Sequence, residues 1–239
     1  MPLDDPLIAR VNALNTKLRH HAAADVLRHA FAAAPNLALV SSFGAESVAL
    51  LHLAATVQPD VQVLFIDTML LFPETLSYQR DVARQLGLRR VQVIRADTAA
   101  DPDDTLHLRD PDACCDLRKI QVLSSALAGF DGWITGRKRF QSGQRADLPP
   151  FEVEEATGRI KVNPLAHWSR DDVQEYIAEN NLPRHPLVAR GYPSIGCAPC
   201  TTPVAAGEDP RSGRWRGQEK DECGIHFVNG KMVRTGATT

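Results

Sequence analysis

Between residues 37 and 136, short apolar runs alternate with helix-length stretches, and this alternation limits the possible folds more than any other feature of the chain. Residues 37–41 (LALVS), 61–67 (VQVLFID), 90–96 (RVQVIRA) and 132–136 (GWITG) have strand length and character. Residues 45–57, 74–86 after Pro73, and 116–127 have helical length. Strands joined by helices are predicted to pair in parallel through right-handed crossovers, which gives an α/β fold with a doubly wound, mostly parallel sheet. Before the sheet, Leu7, Val11, Leu14 and Leu18 recur at helical spacing, and 22–34 is a second helical stretch ended near Pro35. After it, 151–155 and 159–162 flank Ala156-Thr157-Gly158 as a hairpin, and Ser169 is a suitable N-cap for a helix through Glu179. Three segments are expected: a helical lead-in over 1–36, a ligand-binding α/β domain over 37–203, and a flexible tail over 204–239. The tail expectation rests on Gly207, Pro210, Gly213 and Gly217 among charges, which leave little to pack.

At 44% hydrophobic and 23% charged, the 239 residues suit a globular core rather than a disordered chain. A formal charge of −2 argues against gripping nucleic acid through the overall field. No apolar run approaches the ~18 residues of a membrane helix, and Asp4 and Asp5 stand where a signal peptide would be basic. A cytoplasmic protein with no nucleic-acid or membrane partner is expected. Five cysteines are too few for a disulfide scaffold and leave one over, which suggests metal binding plus one reactive thiol.

Ser41-Ser42-Phe43-Gly44-Ala45-Glu46-Ser47 falls between the first strand and its helix, where backbone N–H groups can face an anion. It lacks the lysine and glycine spacing of a Walker A loop, and an ordinary polar turn is the alternative. Cys114-Cys115 and Cys197-Ala198-Pro199-Cys200 form two pairs that together make a four-thiolate site, against buried packing thiols or a redox pair at Cys197 and Cys200. Adjacent thiolates reach neighbouring corners of a single zinc tetrahedron with difficulty but can bind separate irons of a cubane, which favours [4Fe-4S] over zinc. In a helix, Lys119 would lie one turn beyond Cys115, and Arg118 one turn beyond Cys114. Gly136, Arg137, Lys138, Arg139 and Arg145 follow a strand end suited to phosphate recognition, and Arg211, Arg214, Arg216 and Lys220 add cations on the tail. Cys223, in Glu222-Cys223-Gly224-Ile225-His226, is a candidate nucleophile on a flexible arm; Asp221 and Glu222 beside it act to raise its pKa.

In order, SSFGAES, FIDTMLLFPET, CCDLRK, GRKRFQSGQRADLP, NPLAHW, GCAPC and ECGIH make the chain resemble the assimilatory sulfonucleotide reductases, the adenylylsulfate and phosphoadenylylsulfate reductase family. The resemblance spans about residues 37 to 227. It implies a Rossmann-like fold of the adenine nucleotide alpha hydrolase type. Members with both cysteine pairs carry a [4Fe-4S] cluster and usually act on adenosine 5'-phosphosulfate. Carried onto this sequence, the resemblance places Ser41, Ser42, Gly44, Gly136, Arg137 and Arg145 at the nucleotide, with Lys119, Arg211, Arg214 and His226 around the phosphosulfate. It makes Cys114, Cys115, Cys197 and Cys200 the cluster ligands and Cys223 the nucleophile, with thioredoxin or a glutaredoxin-like dithiol as donor. A homo-oligomer is expected. The family often has Gly where this chain has Met69, and Thr where it has Asp221. Reduction of phosphoadenylylsulfate is the competing activity. An ATP-dependent sulfurtransferase or ligase, or a non-enzymatic iron-sulfur module in which Cys223 is incidental, are the alternatives from other classes.

Overall fold

The computed structural model describes residues 6–154 and 157–217. Two helices, α1 (Pro6–Lys17) and α2 (Ala23–Ala33), lead into β1 (Leu37–Ser41), α3 (Ser47–Val57), β2 (Gln62–Ile66), α4 (Pro73–Gln85) and β3 (Val91–Ile94). Short helices α5 (Leu106–Arg109), α6 (Pro111–Cys115) and α7 (Gln121–Ala126) precede β4 (Gly132–Ile134), the hairpin β5 (Phe151–Glu154) and β6 (Arg159–Val162), and finally α8 (Arg170–Glu179). Among the described residues the six strands form one sheet in the order β3-β2-β1-β4-β6-β5, parallel except for β5. The doubly wound, mostly parallel sheet expected from the alternation is the one observed.

Strand alternation sorts the core into two layers. Leu37, Leu39, Val63 and Phe65 face one side, where they meet Val11, Leu27, Val48, Val82, Val173 and Ile177. Ala38, Leu64, Ile66 and Trp133 face the other and pack with Leu123 and Leu127. The open edge of β5 is closed by Asn15 of α1, whose amide donates to Phe151 O and whose side-chain oxygen accepts from Phe151 N–H, both at 2.9 Å. That pair of bonds imitates a neighbouring strand and blunts the edge.

Two local expectations need correction. The helix around the tandem cysteines begins at Pro111, not near residue 116. Asp110 caps it by accepting from Asp112 and Ala113 N–H, and Asp116–Ile120 is a wide π-helical turn between α6 and α7. Residues 204–217, expected to have little to pack, are pinned to the segment before them. Thr202 N–H donates to Gly213 O, Val204 N–H to Gly191 O, and Trp215 N–H to Cys200 O, at 2.8, 2.9 and 3.1 Å. Trp215 is buried. Close approach explains two glycines: a Cβ on Gly213 would lie 2.2 Å from Thr202 O, and one on Gly196 2.3 Å from the Arg214 guanidinium.

Candidate active site

The chain runs β1 to β3 toward one edge and then places β4 on the opposite side of β1, so the strand order reverses between β1 and β4. Loops leaving the carboxyl ends of two such strands diverge and open a crevice. The crevice here is lined by Ser41, Ser42 and Gly44 after β1, by Gly136, Arg137 and Arg145 after β4, and by Arg211 and Arg214 from the C-terminal segment. The eight residues expected to bind the substrate therefore share one cavity.

The β1 turn is tightly built. Phe43 takes a left-handed φ of 48° to bury its ring edge-on against Phe65, and its N–H donates to Ser41 Oγ at 3.1 Å. A Cβ on Gly44 would sit 3.2 Å from Ile195 O, so glycine lets the 193–195 segment close over the turn. The helix α3 begins at Ser47 and directs its N-terminal end at the cavity.

Across the crevice, Lys138 Nζ donates to Glu46 Oε2 at 2.9 Å and to Gly136 O at 3.2 Å, which ties the β4 loop to the β1 turn. Burial lowers the Lys138 pKa, and the Glu46 carboxylate opposes that shift. The Phe140 ring centre has the Lys138 ammonium at 5.8 Å and the Arg170 guanidinium at 5.5 Å. Sequence reasoning missed Glu46, Phe140 and Arg170, and it gave Lys138 no individual role. Arg170 carried no signal beyond its place at the start of a helix.

The cysteine pairs lie next to this cavity on two segments joined through the loop after β2. Thr68 Oγ1 is 3.2 Å from Cys197 Sγ, Ala198 N–H donates to Leu70 O at 2.7 Å, and Leu71 bridges Cys197. The same loop receives Arg118, whose guanidinium donates to Thr68 O at 2.9 Å. Arg118 is fully buried with Asp101 and also pairs with Asp104. Lys119 Nζ, one turn beyond the tandem pair, lies 3.8 Å from Cys115 Sγ.

Burial and then the charges of Cys115 and Cys197 push the Cys114 thiol up to about 11. Burial and Cys197 likewise raise Cys200. Burial also acts against the Cys197 thiolate, but Lys119, Thr68 and Arg214 together outweigh it and lower that thiol. The charges of Cys115 and Cys197 thus reach both Cys114 and Cys200. Among the described residues no three His, Cys, Asp or Glu groups converge tightly enough for a single metal ion. Four thiols on two anchored segments, two of them adjacent, are a donor set that fits a multi-iron cluster.

Arg214 joins the two regions. Its guanidinium covers Gly196, stacks 4.5 Å from the Trp215 ring centre, contributes to the Cys197 environment and lines the crevice. Met69 does not line the crevice; it is 41% exposed and takes a left-handed φ of 61°. Cys223 and His226, together with Lys220, lie outside the described residues.

Residues 36–203 match the model of the phosphoadenosine phosphosulfate reductase domain. The chain belongs to that family. It is 48% identical over 206 residues to a Mesorhizobium japonicum protein named adenosine 5'-phosphosulfate reductase, covering 84% of this chain and 80% of the relative. The Chelativorans protein of the same name is 45% identical over 232 residues, 93% of this chain and 94% of its own. Among solved structures, phosphoadenylyl-sulfate reductase from Candida auris, in a phosphate complex, superposes with a TM-score of 0.72 at 31% identity, covering 80% of this chain and 96% of that one. Candida glabrata FMN adenylyltransferase has a TM-score of 0.59 at 15% identity, covering 87% and 72%, and shares the fold alone. The family match covers the sheet, both cysteine pairs and the crevice lining up to the 193–195 segment, while Pro210, Arg211 and Arg214 lie beyond it. Among the described residues no helix is long and apolar enough to cross a membrane.

Proposed function

We propose that the chain reduces adenosine 5'-phosphosulfate to sulfite and AMP as a step of sulfate assimilation, with Cys223 as nucleophile and thioredoxin or a similar dithiol as reductant. The observation that carries this reading is Arg214, which stands at once in the nucleotide crevice and beside the cysteine pairs. A substrate in the crevice would extend its anionic end toward Arg211 and Arg214, and the C-terminal segment that bears them continues into Cys223 six residues after Gly217. The names of the relatives favour the 5'-phosphosulfate over its 3'-phosphorylated form. Both cysteine pairs do the same through the family resemblance.

In the first step the Cys223 thiolate attacks the sulfur of the phosphosulfate. An S–S bond forms, the bond from sulfur to the bridging oxygen breaks, and AMP leaves with that electron pair. Arg211, Arg214 and Lys119 would offset charge on the sulfonate and on the leaving phosphate, while the β1 turn and the Lys138–Glu46 pair hold the nucleotide. In the second step a donor thiolate attacks Cys223 Sγ and expels sulfite. The second donor thiol then releases the Cys223 thiolate, so the dithiol is oxidised to a disulfide and supplies both electrons. Cys114, Cys115, Cys197 and Cys200 would hold a [4Fe-4S] cluster, which when bound supplies a fixed local field and joins the Lys119 helix to the Cys197 segment.

Anaerobic single turnover without dithiol tests this. Wild type is expected to release one equivalent of AMP and gain the mass of a sulfonate, whereas Cys223→Ser does neither. Faster turnover of the 3'-phosphorylated substrate would move the preference to phosphoadenylylsulfate. The absence of any adduct in cluster-loaded protein would sink the reductase reading.

A further inference from the structure

Arg137 lines the crevice, but its side chain points into the end of the sheet rather than into open space. Its guanidinium donates to Asn163 Oδ1 at 3.1 Å and pairs with Glu152. Its Nε reaches Asn163 Oδ1 and Thr135 Oγ1 at 3.2 and 3.4 Å. Asn163 is fully buried and donates to the same carboxylate oxygen as Arg137, since its amide reaches Glu152 Oε2 at 2.7 Å and Pro149 O at 3.0 Å. Thr135 Oγ1 donates to Asn163 Oδ1 at 2.7 Å and accepts the Arg137 N–H at 3.3 Å. Glu152 sits on β5, the antiparallel edge strand, and does not line the crevice.

We propose that Glu152 is a positioning residue of the nucleotide site: through Arg137 it fixes the turn of Thr135 to Lys138 that forms the β4 wall of the crevice.

A charge-assisted bond from a carboxylate to a buried guanidinium is among the stronger and more directional polar contacts. Here the anionic contact joins a network of amide and hydroxyl groups from Asn163 and Thr135. The choice of partner is itself informative. Lys161 is the direct cross-strand neighbour of Glu152 and is buried, yet its ammonium lies 4.7 Å over the Trp133 ring. An opposite-charge pair directly across two antiparallel strands is a favourable default. Glu152 nonetheless bonds to Arg137 and Asn163, toward the carboxyl end of β4, where the ligand turn begins. All four residues after β4, Thr135 to Lys138, line the crevice, and Lys138 reaches across it to Glu46. Loss of the Glu152 charge would free Arg137 and let the turn relax while leaving Arg211, Arg214 and Cys223 untouched, so substrate binding would suffer and the chemical step would not.

This inference rests on the proposed substrate, and the test separates the two. Glu152→Gln keeps the shape and the Asn163 contact but removes the charge. It is expected to raise KM for adenosine 5'-phosphosulfate and weaken AMP binding measured by calorimetry, each by about tenfold, with kcat within about twofold of wild type. Glu152→Asp is expected to restore part of the loss, and Glu152→Gln combined with Arg137→Ala to be no worse than Arg137→Ala alone. Unchanged KM and AMP affinity in Glu152→Gln would overturn the inference. So would a lowered melting temperature with kcat and KM impaired together in both the Gln and Asp variants, which marks a brace for the hairpin. Failure of wild type to turn over the substrate or bind AMP would count against the proposed function instead.

Discussion

At the scale of single residues, backbone conformation explains a substitution that the sequence left open. Met69 sits at a φ of 61°, a region in which a side chain costs roughly 1–2 kcal/mol and glycine almost nothing. Its N–H donates to Asp67 Oδ1 at 2.9 Å, and Asp67 is held in turn by Arg95. The turn is therefore imposed by its neighbours, and Met69 tolerates it. Met69→Gly is expected to stabilise the protein by about 0.5–1 kcal/mol, after the greater freedom of glycine in the unfolded chain is counted. Because Met69 does not line the crevice, KM is expected to stay the same. Denaturant melts with parallel kinetics check both halves, and a lower midpoint would show that the Met69 side chain contributes packing that outweighs the strain. The crevice residues on the β1 and β4 loops were legible in the sequence because strand ends of a parallel sheet point to ligand sites irrespective of tertiary detail. Glu152 was not: nothing local connects it to Arg137, and only the hairpin register places it beside Asn163.

At the scale of elements, helix and strand periods were readable where one face is buried, as in β1, β2 and α3, and misled where a special contact governs. The π-helical turn after Cys115 is such a case, since its side-chain pattern satisfies an ordinary helix equally well. So is the segment 204–217, where Gly213, which reads as looseness, serves close backbone packing against Thr202. A buried histidine shows what holds two elements together. His185 Nδ1 accepts the N–H of Leu187 at 3.2 Å, so the proton sits on Nε2, which faces Thr75 Oγ1 of α4 at 3.0 Å. Burial lowers its pKa to about 4 from an ordinary 6.5. The unfolded histidine binds a proton below about 6.5, whereas the folded one stays neutral down to about 4. Protons are thus taken up on unfolding across that window, and stability falls as pH falls through it. The loss attributable to His185 is expected to reach about 3 kcal/mol by pH 4. Urea melts between pH 7 and 4 are expected to show a shallower decline for His185→Gln than for wild type. Equal slopes would mean that the ring finds a proton acceptor when charged.

At the scale of the whole molecule, charge is distributed against the net balance. The chain carries −2 overall, yet Arg137, Lys138, Arg145, Arg170, Arg211 and Arg214 line one crevice with Glu46 as its carboxylate. Two of these cations are committed inward, Lys138 to Glu46 and Arg137 to Glu152. Six cations around one carboxylate make a local positive field in a chain that is otherwise near neutral, which attracts a small dianion without inviting nucleic acid. Such a field is screened by salt, because the Debye length shrinks from about 10 Å at 0.1 M to about 3 Å at 1 M. KM for adenosine 5'-phosphosulfate is therefore expected to rise about fivefold between 0.05 and 0.5 M potassium chloride, with kcat changing by less than about twofold. The kcat expectation follows from the proposed binding mode, in which arginines against the sulfonate would be shielded from water and screened far less than the approach to them. A KM that ignored salt would mean that the crevice binds through its backbone turns and paired side chains alone. A kcat that fell in step with the rise in KM would place the screened charges at the reacting sulfur rather than along its path of entry.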